Sequence, residues 1–128
     1  VSLLLDTHVL LWFVLDEPRL SKTARTSIIE ANDAVFISPA SLWEVAIKIG
    51  LGKYSIPGPF EEFWTHQMSL NSFSLLPITL VHTARVIDLH PVHRDPFDRL
   101  LVAQALEEGI PIVSGDTILD EYGVVRIW

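Results

Sequence analysis

Four carboxylates stand out by what surrounds them. Asp6 closes the apolar run Val1–Leu5, and Asp116, within Ser114-Gly115-Asp116-Thr117, follows the apolar pair Ile112–Val113. Glu44 sits among Leu42, Trp43, Val45, Ala46, Ile47 and Ile49, on a segment whose polar stripe is Ser41, Glu44 and Lys48. Asp98 follows Asp95 by three residues across Pro96. At about 100° per helical residue it falls between Leu101, Val102 and Ala105, in the middle of an apolar stripe. A carboxylate aimed inward needs a partner. Each acid also has a plainer role. Asp6 and Asp95 can be helix N-caps, Glu44 an i,i+4 partner of Lys48, Asp98 a solvated first-turn acid and Asp116 a turn residue. Taken together, the acids lie at the ends of two strands and in the early turns of two helices, positions that converge at one end of a parallel sheet. Clustered carboxylates repel, so each must be protonated or share a cation. Oxygen-only ligands favour Mg²⁺ or Mn²⁺, ions that bridge phosphates and activate water. The chemistry this suggests is metal-dependent phosphodiester hydrolysis.

Charge points the same way. Sixteen Asp and Glu against nine Lys and Arg leave a net −7, whereas a nucleic-acid binder relying on its own field would be basic. A protein of this sign that handles a polyanion needs something other than its own net field to hold the phosphates, and bound divalent cations are the obvious candidate. Lys48, Arg94 and Arg99 lie near the acids in sequence and can either touch phosphate or form surface ion pairs. With no cysteine, disulfides and thiolate zinc sites are excluded. His82, His90 and His93 lack an evident, well-spaced third ligand and are not read as a zinc site. His8, beside Asp6, can pack or orient substrate. Gly-x-Ser-x-Gly and a phosphate-cradling glycine loop are both absent.

The elements that must position these residues follow from apolar spacing and caps. At 128 residues, 49% hydrophobic and 20% charged, the chain is expected to be one domain, 1–128, with one core. The longest apolar run, Val9–Leu15, is too short for a membrane span. No secretory leader pattern precedes Asp6, and a cytoplasmic location is expected. Val1–Leu5 predicts a strand buried on both faces, and Leu10, Leu11, Val14 and Leu15 a helix stopped by Pro18. Ser21 caps a second helix through Glu30, and Ala34–Ile37 forms a strand. Ser38-Pro39 opens a helix over 39–49 that Gly50 and Gly52 end. Helices over Phe60–Leu70 and Thr79–Leu89 flank a strand over Phe73–Leu76. Asp95 starts a helix that runs to Glu108 and stops at Gly109, and strands follow at Ile112–Val113 and Val124–Ile127. Alternating strands and helices imply an α/β architecture with a mostly parallel sheet.

These residues resemble a known family. Leu3-Leu4-Leu5-Asp6-Thr7-His8, Ser38-Pro39-Ala40-Ser41-Leu42-Trp43-Glu44, Asp95-Pro96-Phe97-Asp98-Arg99-Leu100-Leu101-Val102-Ala103-Gln104-Ala105 and Val113-Ser114-Gly115-Asp116 look like successive motifs of the PIN-domain ribonucleases. The likeness is to the VapC-type toxins of bacterial toxin–antitoxin pairs and covers essentially the whole chain. The resemblance implies a three-layer α/β/α sandwich with a central, mostly parallel sheet, and an acidic pocket for Mg²⁺ or Mn²⁺. Carried over by position, Asp6, Glu44, Asp98 and Asp116 are the catalytic, metal-site acids, Thr7 supports the first, and Asp95 is a cap or supporting residue behind Asp98. The implied activity is endoribonucleolytic cleavage to a 3′-hydroxyl and a 5′-phosphate, inhibiting translation or growth. The implied partners are RNA, a cognate antitoxin that covers the pocket and a second copy of the chain. Trp12, Phe13 and Trp43 can help form the antitoxin groove or simply pack in the core. The rival readings are a housekeeping RNA-processing nuclease, a non-catalytic PIN-like binding module and a phosphotransferase of the haloacid-dehalogenase kind. The last lacks its Asp-x-Asp-x-Thr signature, because position 8 is histidine.

Overall fold

Strand β1 (Leu3–Leu5) is an uninterrupted apolar triplet buried on both faces, and this determines where everything else packs. The computed structural model describes residues 1–128. In chain order β1 is followed by α1 (Thr7–Val14), α2 (Lys22–Ile29), β2 (Val35–Ile37), α3 (Pro39–Gly50), α4 (Phe60–Leu70), β3 (Phe73–Leu75), α5 (Leu80–Ile87), α6 (Pro96–Glu108), β4 (Ile112–Val113), a 3₁₀ helix (Thr117–Tyr122) and β5 (Arg126–Ile127). The sheet has the order β3-β2-β1-β4-β5, and every neighbouring pair is parallel, with Leu4 opposite Phe36 on one side and Ile112 on the other. The expected "mostly parallel" sheet is thus wholly parallel.

Period-two alternation divides the core between the two faces. Leu3 and Leu5, with Val35, Ile37, Phe73 and Val113, face Val9 and Leu10 of α1, Ala24 and Ile28 of α2, Val45 of α3 and Trp64 of α4. Leu4 and Ile112 face the other way, onto Leu101, Val102 and Ala105 of α6 and Leu119 of the 3₁₀ helix. Helices on both faces of a parallel sheet make the three-layer α/β/α arrangement. No helix is long and apolar enough to cross a membrane.

Helix starts lie where their caps put them. Ser21 accepts the Ala24 N–H, Ser38 that of Ala40 ahead of Pro39, and Asp95 those of Phe97 and Asp98 ahead of Pro96. Gly109 closes α6 in a left-handed conformation at φ 64°, which costs glycine little. Several boundaries differ from the expectation. Val1 and Ser2 lie outside β1, β2 starts at Val35, β3 ends at Leu75, α5 ends at Ile87 and β5 is confined to Arg126–Ile127, while the segment after Asp116 forms a 3₁₀ turn that no apolar period announces.

Candidate metal centre

At the carboxyl ends of β1 and β4 the chain turns directly into helices, and those turns carry two of the acids. Asp6 caps α1 by accepting the Val9 N–H at 2.8 Å, and its own backbone N–H donates to Val113 across the sheet. Asp116 caps the 3₁₀ helix by accepting the Ile118 N–H. Ser114 stands beside both. Its hydroxyl accepts the Asp116 N–H at 3.0 Å and favours the ionised form of the Asp6 carboxyl. Burial is the main force pushing the Asp6 carboxyl above the usual range, and the nearby Asp116 charge adds to it.

Two further acids come from α3 and α6. Glu44 is 2% exposed. Its Oε2 accepts the Lys48 ammonium at 2.8 Å, which holds the Lys48 pKa above its ordinary value, while Oε1 is buried with no hydrogen-bond partner. The i,i+4 pair with Lys48, weighed as the plainer role of Glu44, is therefore present, and its acid is buried. Lys48 in turn reaches the Tyr54 hydroxyl, which meets His8 Nε2 at 3.2 Å. Asp98 lies one turn into α6 and is pushed up to about 7, first by burial and then by the charges of Asp95, Asp6 and Glu44. The four acids thus act on one another through space, as their positions at the sheet end require. Asp95 spends its carboxylate capping α6. The Thr7 hydroxyl donates to Ser41 Oγ at 3.1 Å, tying α1 to the turn of α3 that precedes Glu44.

One residue of the centre is absent from the sequence-derived set. His93 Nε2 lies 2.9 Å from Asp98 Oδ2 and 2.9 Å from Asp116 Oδ2, and one ligand atom from each of the three fits within 4.8 Å. Ser114, which accepts the Asp116 N–H, was likewise missed. His82 is elsewhere, between Thr79 and Glu108, so the three histidines do not come together. Arg99 is also not free for phosphate. Its guanidinium donates to the carbonyls of Val86, Leu89, His90 and His93 and to the Tyr122 hydroxyl, pinning the α5–α6 connector. Arg94 is exposed. Phe13 packs on Phe73, and Trp12 lies partly buried near Trp128. Trp43, by contrast, is 64% exposed and meets Phe97 edge-on beside an apolar hollow of about 460 Å³.

A divalent cation fits this donor set. Glu44 Oε1 is buried without a hydrogen-bond partner, and burial with neighbouring carboxylates disfavours the ionised form of Asp98, so both acids keep donor oxygens that a cation would stabilise. Oxygen donors of this kind are what hard cations take.

The PIN domain family matches residues 3–125, and the chain belongs to it. No curated protein sequence matches the chain. Among solved structures, the fold is similar to VapBC2 of Rickettsia felis bound to a promoter DNA fragment, at a TM-score of 0.74 and 13% identity over 98% of this chain and 97% of that one. It is also similar to VapBC-1 of nontypeable Haemophilus influenzae, with a TM-score of 0.68 and 14% identity over 98% and 96%. FitAcB of Neisseria gonorrhoeae gives 0.66 and 17% over 97% and 95%.

Proposed function

We propose that this chain is a metal-dependent endoribonuclease, the toxin of a toxin–antitoxin pair. The observation that carries the reading is the buried Glu44 Oε1, left without a partner in a group of mutually repelling acids. Asp6, Glu44, Asp98 and Asp116 would hold Mg²⁺ or Mn²⁺. When bound, such a cation supplies Lewis acidity toward phosphate oxygens and the attacking water. The chain's own residues prepare for it. Lys48 fixes Glu44 Oε2 and leaves Oε1 free, Ser114 holds the turn that carries Asp116, and Asp95 holds the first turn of α6 so that Asp98 points inward. Burial and neighbouring carboxylates push the Asp98 carboxyl up to about 7, and a bound cation would favour its ionised form instead.

The partner class follows from similar folds, which include VapBC and FitAB complexes, some with DNA bound. An antitoxin segment covering the acids would find an apolar anchor at Trp43 and Phe97. We propose that the chain acts as a single domain, 1–128, and pairs with a second copy. The test is incubation of the purified protein with a mixed RNA pool, with Mn²⁺ or Mg²⁺ and with EDTA, beside Asp98→Asn. Cleavage that requires metal and disappears in the variant supports the nuclease. A folded protein that binds no divalent cation and cuts nothing would instead be a non-catalytic module.

A further inference from the structure

The position of His93 raises the question of whether its imidazole is a cation ligand or a cation substitute, and its second nitrogen answers it. Nδ1 accepts the Asp95 backbone N–H at 3.3 Å. A ring nitrogen that accepts has no proton, so in the neutral imidazole the proton is on Nε2. That N–H is directed at Asp98 Oδ2 and Asp116 Oδ2, each 2.9 Å away. Nε2 therefore offers the two carboxylates the positive end of a bond and offers a metal no lone pair. The backbone of His93 is held independently, its N–H donating to the Tyr122 hydroxyl at 3.0 Å and its carbonyl accepting from Arg99. Movement of the ring thus falls to its own side-chain torsions.

We infer that His93 is a built-in stand-in for the cation. Its Nε2–H bridges Asp98 and Asp116 in the metal-free protein, and a divalent ion and this N–H exclude one another from the space between those carboxylates. The inference rests on the reading of the acids as a cation site. In this role His93 is a positioning residue: it keeps the two acids together and partly compensated until the ion displaces it, at a cost to cation affinity.

The probe is MnCl₂ alone, titrated into wild type, His93→Ala and His93→Gln. His93→Ala is expected to bind Mn²⁺ roughly tenfold more tightly, the equivalent of one hydrogen bond to a carboxylate no longer displaced. His93→Gln retains a donor and is expected to stay near wild type. In protein with ¹⁵N-labelled histidine, MgCl₂ should shift the His93 Nε2–H resonance as the bridge opens, and Mn²⁺ should show no ¹⁵N coupling from an imidazole. This labelled wild-type measurement decides the matter even where His93→Ala does not fold. Weaker or unchanged Mn²⁺ binding in folded His93→Ala, or a ¹⁵N coupling that the variant loses, would make His93 a ligand or a bystander and overturn the inference while leaving the nuclease reading intact. Absence of binding in all three proteins would overturn both.

Discussion

His82 and His93 each accept a backbone N–H at Nδ1, from Thr79 and Asp95, and each aims Nε2 at a carboxylate oxygen 2.9 Å away. Their surroundings differ. His82 is 1% exposed, completes the capping box of α5 and faces a single carboxylate, Glu108, whose other side is open to water. Its work is to fasten α5 to α6. His93 faces two carboxylates within a set of acids that includes a buried oxygen with no partner. The same hydrogen bond is structural where the charge around it is balanced and becomes exchangeable where negative charge is in excess.

Neutralising single members of the two centres breaks this comparison most sharply. Asp98→Asn is expected to lower metal-dependent RNA cleavage by roughly a thousandfold, measured as initial rates with folding checked by circular dichroism, whereas Glu108→Gln should cleave at the wild-type rate. Stability across pH comes next. The Asp98 carboxyl stands at about 7 in the folded protein against an ordinary 3.8. Its contribution to stability is therefore full below about pH 3.8 and is lost as pH rises through about 7. Thermal melting should consequently show Mn²⁺ raising the Tm more at pH 8 than at pH 5.5, and Asp98→Asn should weaken that dependence.

Lys48→Met leaves the buried Glu44 carboxylate without its cation, and urea unfolding of the metal-free protein should show a loss of about 1–3 kcal/mol. The smallest effect belongs to the balanced centre. Glu108→Ala, at a half-exposed position, should cost less than about 1 kcal/mol in urea unfolding and leave Mn²⁺ affinity unchanged.

Much of the fold was legible in the sequence because its signals are local. Ser21, Ser38-Pro39, Asp95-Pro96 and Gly109 mark helix ends by chemistry that acts within a few residues. Asp98 was readable for the same reason, since helical periodicity alone turns it toward apolar neighbours. What escaped depends on contacts distant in sequence. His93 lies in a connector with no period, and its partnership with Asp116 exists only once β4 stands beside β1. Its one sequence signal is a histidine two residues ahead of a capping aspartate. Arg99 was weighed as a phosphate contact or a surface ion pair and is neither, because its carbonyl partners, from Val86 to His93, are brought together only by the chain reversal between α5 and α6. The 3₁₀ helix has only Leu119 buried, too little for a pattern.

Calorimetric titration of MnCl₂ at pH 7.5 into wild type, Asp98→Asn and Glu108→Gln tests the central claim most directly. The account expects saturable binding in wild type and Glu108→Gln and its loss in folded Asp98→Asn. Equal binding in all three, or none in the folded wild type, would contradict the assignment of the acids as a cation site.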